Sequence, residues 1–129
     1  MAGLTLRFER DDDGDVRLLA ALAVGGFTGA SDYWCPPSEF SDLVDSLAAY
    51  PIHPAEPIGG EWAGGIKLEI KPVGLTGTLE VAASIIEFSD ERTRCNAVFR
   101  CHYADLSAFR AGLLKAGFDG MGEAILAAS

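Results

Sequence analysis

Two short amphipathic segments flank a central run of alternating strands, and this arrangement limits the fold more than any other feature of the chain. The segments cover residues 38–47 and 105–114, and each has apolar residues at helical spacing with polar residues between them. Such a helix is stable when its apolar face lies on a sheet. The sequence therefore predicts an α+β fold, with two amphipathic helices packed on an antiparallel sheet of about five strands.

The strands are predicted from alternation of apolar and polar residues and from the turn residues between them. Asp and Gly residues at 11–15 predict a tight turn, so the first two strands should form a hairpin. Glycines at 25–29 predict a bend or bulge before a short third strand. The predicted strands cover residues 4–10, 16–24, 30–35, 66–71, 78–88 and 94–102.

The helix ends are predicted from capping residues. Ser38 is an N-cap candidate for the first helix, and Pro51 ends it because the residue before a proline avoids the α region. Asp105 caps the second helix, and Gly117 suits the left-handed position at its end, with Phe118 packing back on the helix. The Ala-rich residues 120–129 are predicted to form a frayed tail or one last helical turn of a single domain covering residues 1–129.

Composition narrows the classes of function. The chain has 129 residues, three cysteines and a net charge of -9. Nucleic acid and anionic membranes are disfavoured as partners, because binding phosphate needs clustered Lys and Arg. An odd cysteine count without scaffold spacing argues against a secreted disulfide framework, and no leader pattern is visible, so a cytoplasmic protein is expected.

No residue pattern predicts catalysis, a metal or a cofactor. Asp11, Asp13 and Asp15 have calcium-loop spacing, but that loop's glycine and final glutamate are missing. Cys101 and His102 are adjacent on a strand and point to opposite faces, and no Cys-x-x-Cys pair supports zinc. A nucleophile would need a base and an orienting acid beside it, and no sequence motif supplies them.

The candidate binding residues are acidic or aromatic. Asp42 lies three residues from both Glu39 and Asp45, so these carboxylates share one helix face that suits a basic partner. Asp32 is expected to extend this acidic surface, as are residues 11–15. The tryptophans Trp34 and Trp62 flank turns, and packing is the favoured interpretation, although an exposed Trp often anchors an interface. The binding set is Asp32, Trp34, Glu39, Asp42 and Asp45.

Four features together resemble the WapI-like immunity proteins and neighbouring small bacterial families: Trp34, the helix Phe40-x-x-Leu43-x-x-x-Leu47, Gly77 before a long strand, and Asp105-Leu106-x-x-Phe109. The resemblance implies an α+β domain with a helix between an early strand and a later meander. It also implies an inhibitor of a toxin domain that works by binding alone.

The sequence thus predicts a non-enzymatic protein-binding domain of acidic immunity type, with a basic protein as its partner. Two alternatives remain open. One is a homodimer or other homo-oligomer with a structural or small-ligand-binding role. The other is a small enzyme that uses Cys35 or His102.

Overall fold

The computed structural model describes residues 2–50, 52, 65–87 and 92–128. Within these ranges the chain has two helices and two antiparallel sheets, which confirms the α+β class. The prediction of one sheet of about five strands is wrong, because seven strands divide into sheets of four and three. The elements are β1 (Gly3–Arg10), β2 (Val16–Val24), β3 (Phe27–Cys35), α1 (Pro37–Ser46), β4 (Gly65–Val73), β5 (Thr78–Ile86), β6 (Arg94–His102), α2 (Tyr103–Asp119) and β7 (Met121–Ala127).

The four-stranded sheet has the order β3-β2-β1-β7. The predicted hairpin of β1 and β2 is confirmed, and its turn depends on Asp11, whose Oδ1 accepts hydrogen bonds from the backbone N–H groups of Asp13 and Asp15 at 3.0 and 2.9 Å. Gly14 has a φ of +88° there. A two-residue turn with Gly25 at φ +61° joins β2 to β3, so the predicted third strand begins earlier, at Phe27.

The three-stranded sheet is the predicted meander, with the order β4-β5-β6. On one face its alternating residues are buried or half-buried, including Leu68, Val81 and Phe99. The opposite face carries Lys67, Glu69 and other polar residues. This alternation is what an antiparallel sheet with one wet face requires.

Both helices and the second sheet lie on one face of the four-stranded sheet, called here the inner face. The helix α2 contacts β7 and β1, while the second sheet contacts β2 and β3. The hydroxyl of Tyr33 donates to the carbonyl of Ile86 at 3.0 Å and so joins the two sheets. The rings of Phe8 and Phe40, 4.5 Å apart, join β1 to α1. One apolar core therefore lies between the inner face and everything packed on it.

The helix α1 begins two residues earlier than its predicted N-cap implies. Its N-cap is Pro36 and not Ser38, and no side chain caps the first turn. Proline is well tolerated at the first helical position, where its missing N–H has no intrahelical partner, so Pro37 begins the helix. The helix ends at Ser46, and its buried stripe contains the predicted Phe40, Leu43 and Val44.

The helix α2 is longer than predicted at both ends. Its N-cap is His102, and Asp105 lies in the first turn, where its Oδ2 accepts the His102 backbone N–H at 2.8 Å. The helix continues through Gly117 and ends at Gly120, which adopts the left-handed conformation with a φ of +83°. Phe118 does not pack back on the helix, because its side chain is 91% exposed.

The segment predicted as a frayed tail or a helical turn is the strand β7. It pairs antiparallel with β1 from Met121↔Glu9 to Ala127↔Gly3. Ala124 and Leu126 point into the core, and the small side chains allow a close approach of α2: an added Cβ at Gly122 would lie 2.9 Å from Cβ of Ala116. Tertiary packing thus stabilises a strand of low intrinsic propensity.

The first helix ends at Ser46, so the prediction that Pro51 ends it is wrong. Other predicted features lie outside the described residues: the last residue of the fifth predicted strand, most of the turn at 89–92, and Trp62. In the part of the chain that is described, neither helix combines the length and apolar character needed to cross a membrane.

Candidate protein-binding surface

The acidic residues of α1 point away from the core. Glu39, Asp42 and Asp45 are spaced by three, so they follow one side of the helix while Phe40 and Val44 are buried on the other. Asp42 and Asp45 are exposed, and neither takes part in an ion pair between described residues. We call these three carboxylates the acidic helix face.

An apolar groove lies beside this face, between α1 and α2. It has a volume of about 280 Å³, and its walls include Phe40 and Val44 of α1 and Leu113 of α2. Asp45 lines the same groove, as does Phe118. Leu114 is 48% exposed at its edge, one helical turn from Phe118. This helix groove therefore combines exposed apolar side chains with a carboxylate at its margin.

Two arginines fix the walls of the helix groove through backbone carbonyls. The Nε of Arg110 donates to the carbonyl of Val44 at 3.0 Å, which ties α2 to the last turn of α1. The guanidinium of Arg10 donates to the carbonyl of Gly117 at 3.1 Å and lies over the ring of Phe8. Both guanidinium groups therefore link elements that border the groove through backbone carbonyls.

More carboxylates lie where the β1–β2 hairpin meets α1. The side chains of Asp12 and Asp13 are exposed in the turn, and Asp15 follows. Arg10 and Val16, at the ends of the two hairpin strands, line the same groove as Pro37, which places the hairpin beside the first turn of α1. The contribution of residues 11–15 to an acidic binding surface stays a prediction.

Asp32 and Trp34 lie elsewhere. They point to the outer face of the four-stranded sheet, opposite to the face on which α1 packs, because Tyr33 and Cys35 between and beside them point inward. Asp32 accepts two hydrogen bonds from Arg17, at 3.1 and 2.9 Å. Trp34 is 60% exposed, so the prediction that it packs in the core is wrong. The predicted binding set therefore divides between two surfaces.

The residues of the enzyme alternative do not form a nucleophilic site. Burial raises the pKa of the Cys35 thiol to about 11, helped by the charges of Glu39 and Asp15, and burial raises the pKa of Cys101 to about 11 as well. Both are neutral thiols at pH 7, and a neutral thiol is a poor nucleophile. His102 ends β6 on the exposed face of the other sheet. His53 lies outside the described residues.

These thiols predict a loss of stability at alkaline pH. The folded state holds their protons up to about pH 11, whereas unfolded thiols release them near their ordinary value of about 9. Their contribution is complete below about pH 9 and is lost as the pH rises to about 11. We expect the free energy of unfolding, measured by urea titration with a reductant present, to fall across this window.

The contribution of one thiol is isolated by the variant Cys35→Ala, for which the fall should be smaller. Cys95→Ala, which removes a half-buried thiol between the sheets, is the matched control. Equal pH dependence in the Cys35→Ala variant and the unmodified chain would contradict the assignment.

Among the described residues, no three His, Cys, Asp or Glu side chains are grouped so that they could hold a metal ion. The sequence reasoning missed the helix groove. A signal was present, because Leu114 and Phe118 are four residues apart on the face of α2 opposite its buried stripe. Comparisons of the chain with protein-family models, with curated proteins and with solved structures found no match.

Proposed function

We propose that this chain is a non-enzymatic protein-binding domain that inhibits a basic partner by occluding its working surface, as an immunity protein does for a toxin. The observation that carries the proposal is the position of the helix groove. Asp45 lines it and Asp42 is exposed on the same helix, and neither carboxylate forms an ion pair with a described Lys or Arg. One ligand can therefore contact the apolar groove and the carboxylates at the same time.

The two parts of this surface have different roles in binding. Leu114 and Phe118 present apolar area that a partner would remove from water, and such anchors at the centre of an interface slow dissociation. The acidic helix face and a net charge of -9 attract a basic partner over a longer range and speed association. Salt should therefore weaken binding mainly through the association rate.

The resemblance to WapI-like immunity proteins supports the same mechanism at the level of family likeness. In that mechanism the chain needs no reactive group, and inhibition follows from occupancy alone. We therefore expect inhibition to be stoichiometric: the partner's activity should fall linearly with added chain and reach its minimum near one chain per partner.

Charge reversal on the acidic helix face tests the proposal. The tagged chain is used as bait in lysate of the source organism, bound proteins are eluted in a salt gradient, and the affinity is then measured with the purified partner. We expect Asp42→Lys and Asp45→Lys each to weaken binding about tenfold, because each replaces an attraction with a repulsion on the acidic helix face.

The matched control is Glu69→Lys, which makes the same change in net charge on the exposed face of the three-stranded sheet. It should leave the affinity within about twofold of the unmodified chain. If Asp42→Lys and Asp45→Lys retain the partner as well as Glu69→Lys does, the acidic helix face is not the binding surface. If all three weaken binding equally, the effect is one of net charge alone.

A further inference from the structure

The outer face of the four-stranded sheet is unusually apolar for a face that no described element covers. It comprises the outward residues of all four strands, and we call it the outer sheet face. On β2, the second strand of the sheet, Leu19, Ala21 and Ala23 point outward while Leu18, Ala20 and Leu22 are buried. A sheet with one wet face normally alternates apolar and polar residues, whereas a continuous apolar strand is typical of a sheet covered on both faces. The strand β2 therefore has the sequence of a strand that something covers.

Most charges on the outer sheet face lie in ion pairs, and with Glu123, which is opposite Arg7 on β7, the face carries a net charge of only -1. Arg17 contacts Asp32 at 2.9 Å and Glu9 at 3.7 Å, and Arg7 contacts Glu9 at 3.9 Å. The chain as a whole carries -9, so two copies repel each other over most of their surfaces. That repulsion is weakest where the carboxylates are already paired, which favours a second copy over a basic partner as the occupant of this face.

The two ends of the outer sheet face have complementary shapes. At one end small side chains line a shallow depression of about 420 Å³, among them Thr5, Ala21 and Ala30. At the other end Trp34 protrudes with 60% of its surface exposed. Trp34 and Thr28, which also lines the depression, are six residues apart on β3, a distance of about 20 Å.

We propose that two copies of this chain associate through their outer sheet faces, with Trp34 of each copy seated in the depression of the other. A two-fold axis that crosses the strands near Ala20 and Ser31 reverses the direction of β3 in the second copy. It brings Trp34 of that copy over Thr28 of the first, and Asp32 over Ala30. The contact is isologous, so the contact between Trp34 and the depression occurs twice. The stacked sheets would lie about 10 Å apart, as in a β-sandwich.

The area of the outer sheet face determines the expected affinity of the dimer. Four strands spaced about 4.8 Å apart, paired over seven residues of about 3.3 Å each, cover roughly 450 Å² per copy. The two copies together bury roughly 900 Å², which is below the roughly 1,200 Å² of stable interfaces and in the range of weak, transient ones. We therefore expect a reversible dimer with a micromolar dissociation constant. It leaves the helix groove and the acidic helix face open, so it is independent of the inhibitor function.

The test is sedimentation of the full chain from about 1 µM to about 500 µM, a range that brackets micromolar affinity. The unmodified chain should pass from monomer to dimer. Trp34→Ala removes the protruding side chain, and Ala21→Glu places an unpaired charge in the depression. We expect each to raise the dissociation constant at least tenfold. Circular dichroism and thermal unfolding show whether each variant remains folded.

Phe118→Ala is the matched control, because it truncates an exposed aromatic side chain on the helix side of the molecule. A dimer that Phe118→Ala leaves intact and that both face variants weaken supports the proposal. A chain that stays monomeric at the highest concentration overturns it, as does a dimer that persists unchanged in either Trp34→Ala or Ala21→Glu.

Fluorescence reports directly on the anchor. In the variant Trp62→Phe, Trp34 is the sole tryptophan of the chain. Its emission should shift to shorter wavelength as dimer forms, because the indole ring leaves water. Dimerisation without such a shift would show that another surface forms the interface.

Discussion

Replacing Phe109 with alanine is expected to lower the free energy of unfolding by about 3–5 kcal/mol. The side chain of Phe109 is fully buried in the middle of α2, between Leu106 and Leu113 on the same helix face. That helix contacts β1 and β7 of one sheet and β6 of the other. Truncation would leave a cavity where three parts of the fold meet, and the rigid sheets on either side limit how far it can collapse.

Urea unfolding followed by circular dichroism measures this loss, and Phe118→Ala provides the matched comparison. It makes the same chemical change nine residues later in the same helix, at a side chain that is 91% exposed. We expect a change below about 0.5 kcal/mol there. Similar losses in the two variants would mean that α2 is not packed as described.

The C-terminal end of α2 could not be predicted from the local sequence. Gly117 and Gly120 both follow a helical pattern, and either is suited to a left-handed helix end. The structure uses Gly120, while at Gly117 an added Cβ would lie 3.2 Å from the ring of Phe40. The glycine at 117 is therefore explained by the approach of α1, which is information that the sequence around residue 117 does not contain.

The strand β7 and the division into two sheets were missed for a related reason. Residues 121–127 alternate between exposed and buried positions, but Gly and Ala have low strand propensity, so the pattern is weak. Their partner β1 is at the other end of the chain. Equally, no local feature of β3 and β4 indicates that they belong to different sheets. Pairing over such distances depends on the assembled core, and the hairpins were predictable because their turns are local.

The candidate site was also only partly predictable from the sequence. The spacing of Asp42 and Asp45 on α1 was enough to place them together on an exposed face. The helix groove required the approach of α1 and α2, which the bond from Arg110 to the carbonyl of Val44 records. From the sequence, packing is the favoured interpretation of Trp34. Side chains alternate along β3, and because Tyr33 and Cys35 point inward, Trp34 points outward.

At Gly29 the two sheets approach each other closely. From the sequence, the glycines at 25–29 instead predict a bend or bulge. In the structure Gly29 lies within the regular strand β3 and faces β6. An added Cβ would lie 2.5 Å from Cβ and 2.9 Å from Sγ of Cys95. Because one of the clashing atoms is a Cβ, rotation of a side chain does not relieve the contact, and β3 and β6 would have to separate.

Gly29→Ala is therefore expected to lower the free energy of unfolding by about 2–3 kcal/mol, the upper part of the range for overpacking. Gly26→Ala is the control within the same hairpin, since an added Cβ meets nothing within 4 Å there. Its effect should lie within about 0.5 kcal/mol of zero.

A second substitution identifies the clash. In the Gly29→Ala background, Cys95→Ala removes Sγ but retains the Cβ that lies 2.5 Å away, so it should recover little stability. Cys95→Gly removes both atoms and should recover about 1–2 kcal/mol more than the two single changes predict, as expected for residues in direct contact. Strict additivity of Gly29→Ala and Cys95→Gly in urea unfolding would show that β3 and β6 do not meet at this point. If Cys95→Gly restores stability in the Gly29→Ala background and Cys95→Ala does not, Gly29 is required by the packing of one sheet on the other.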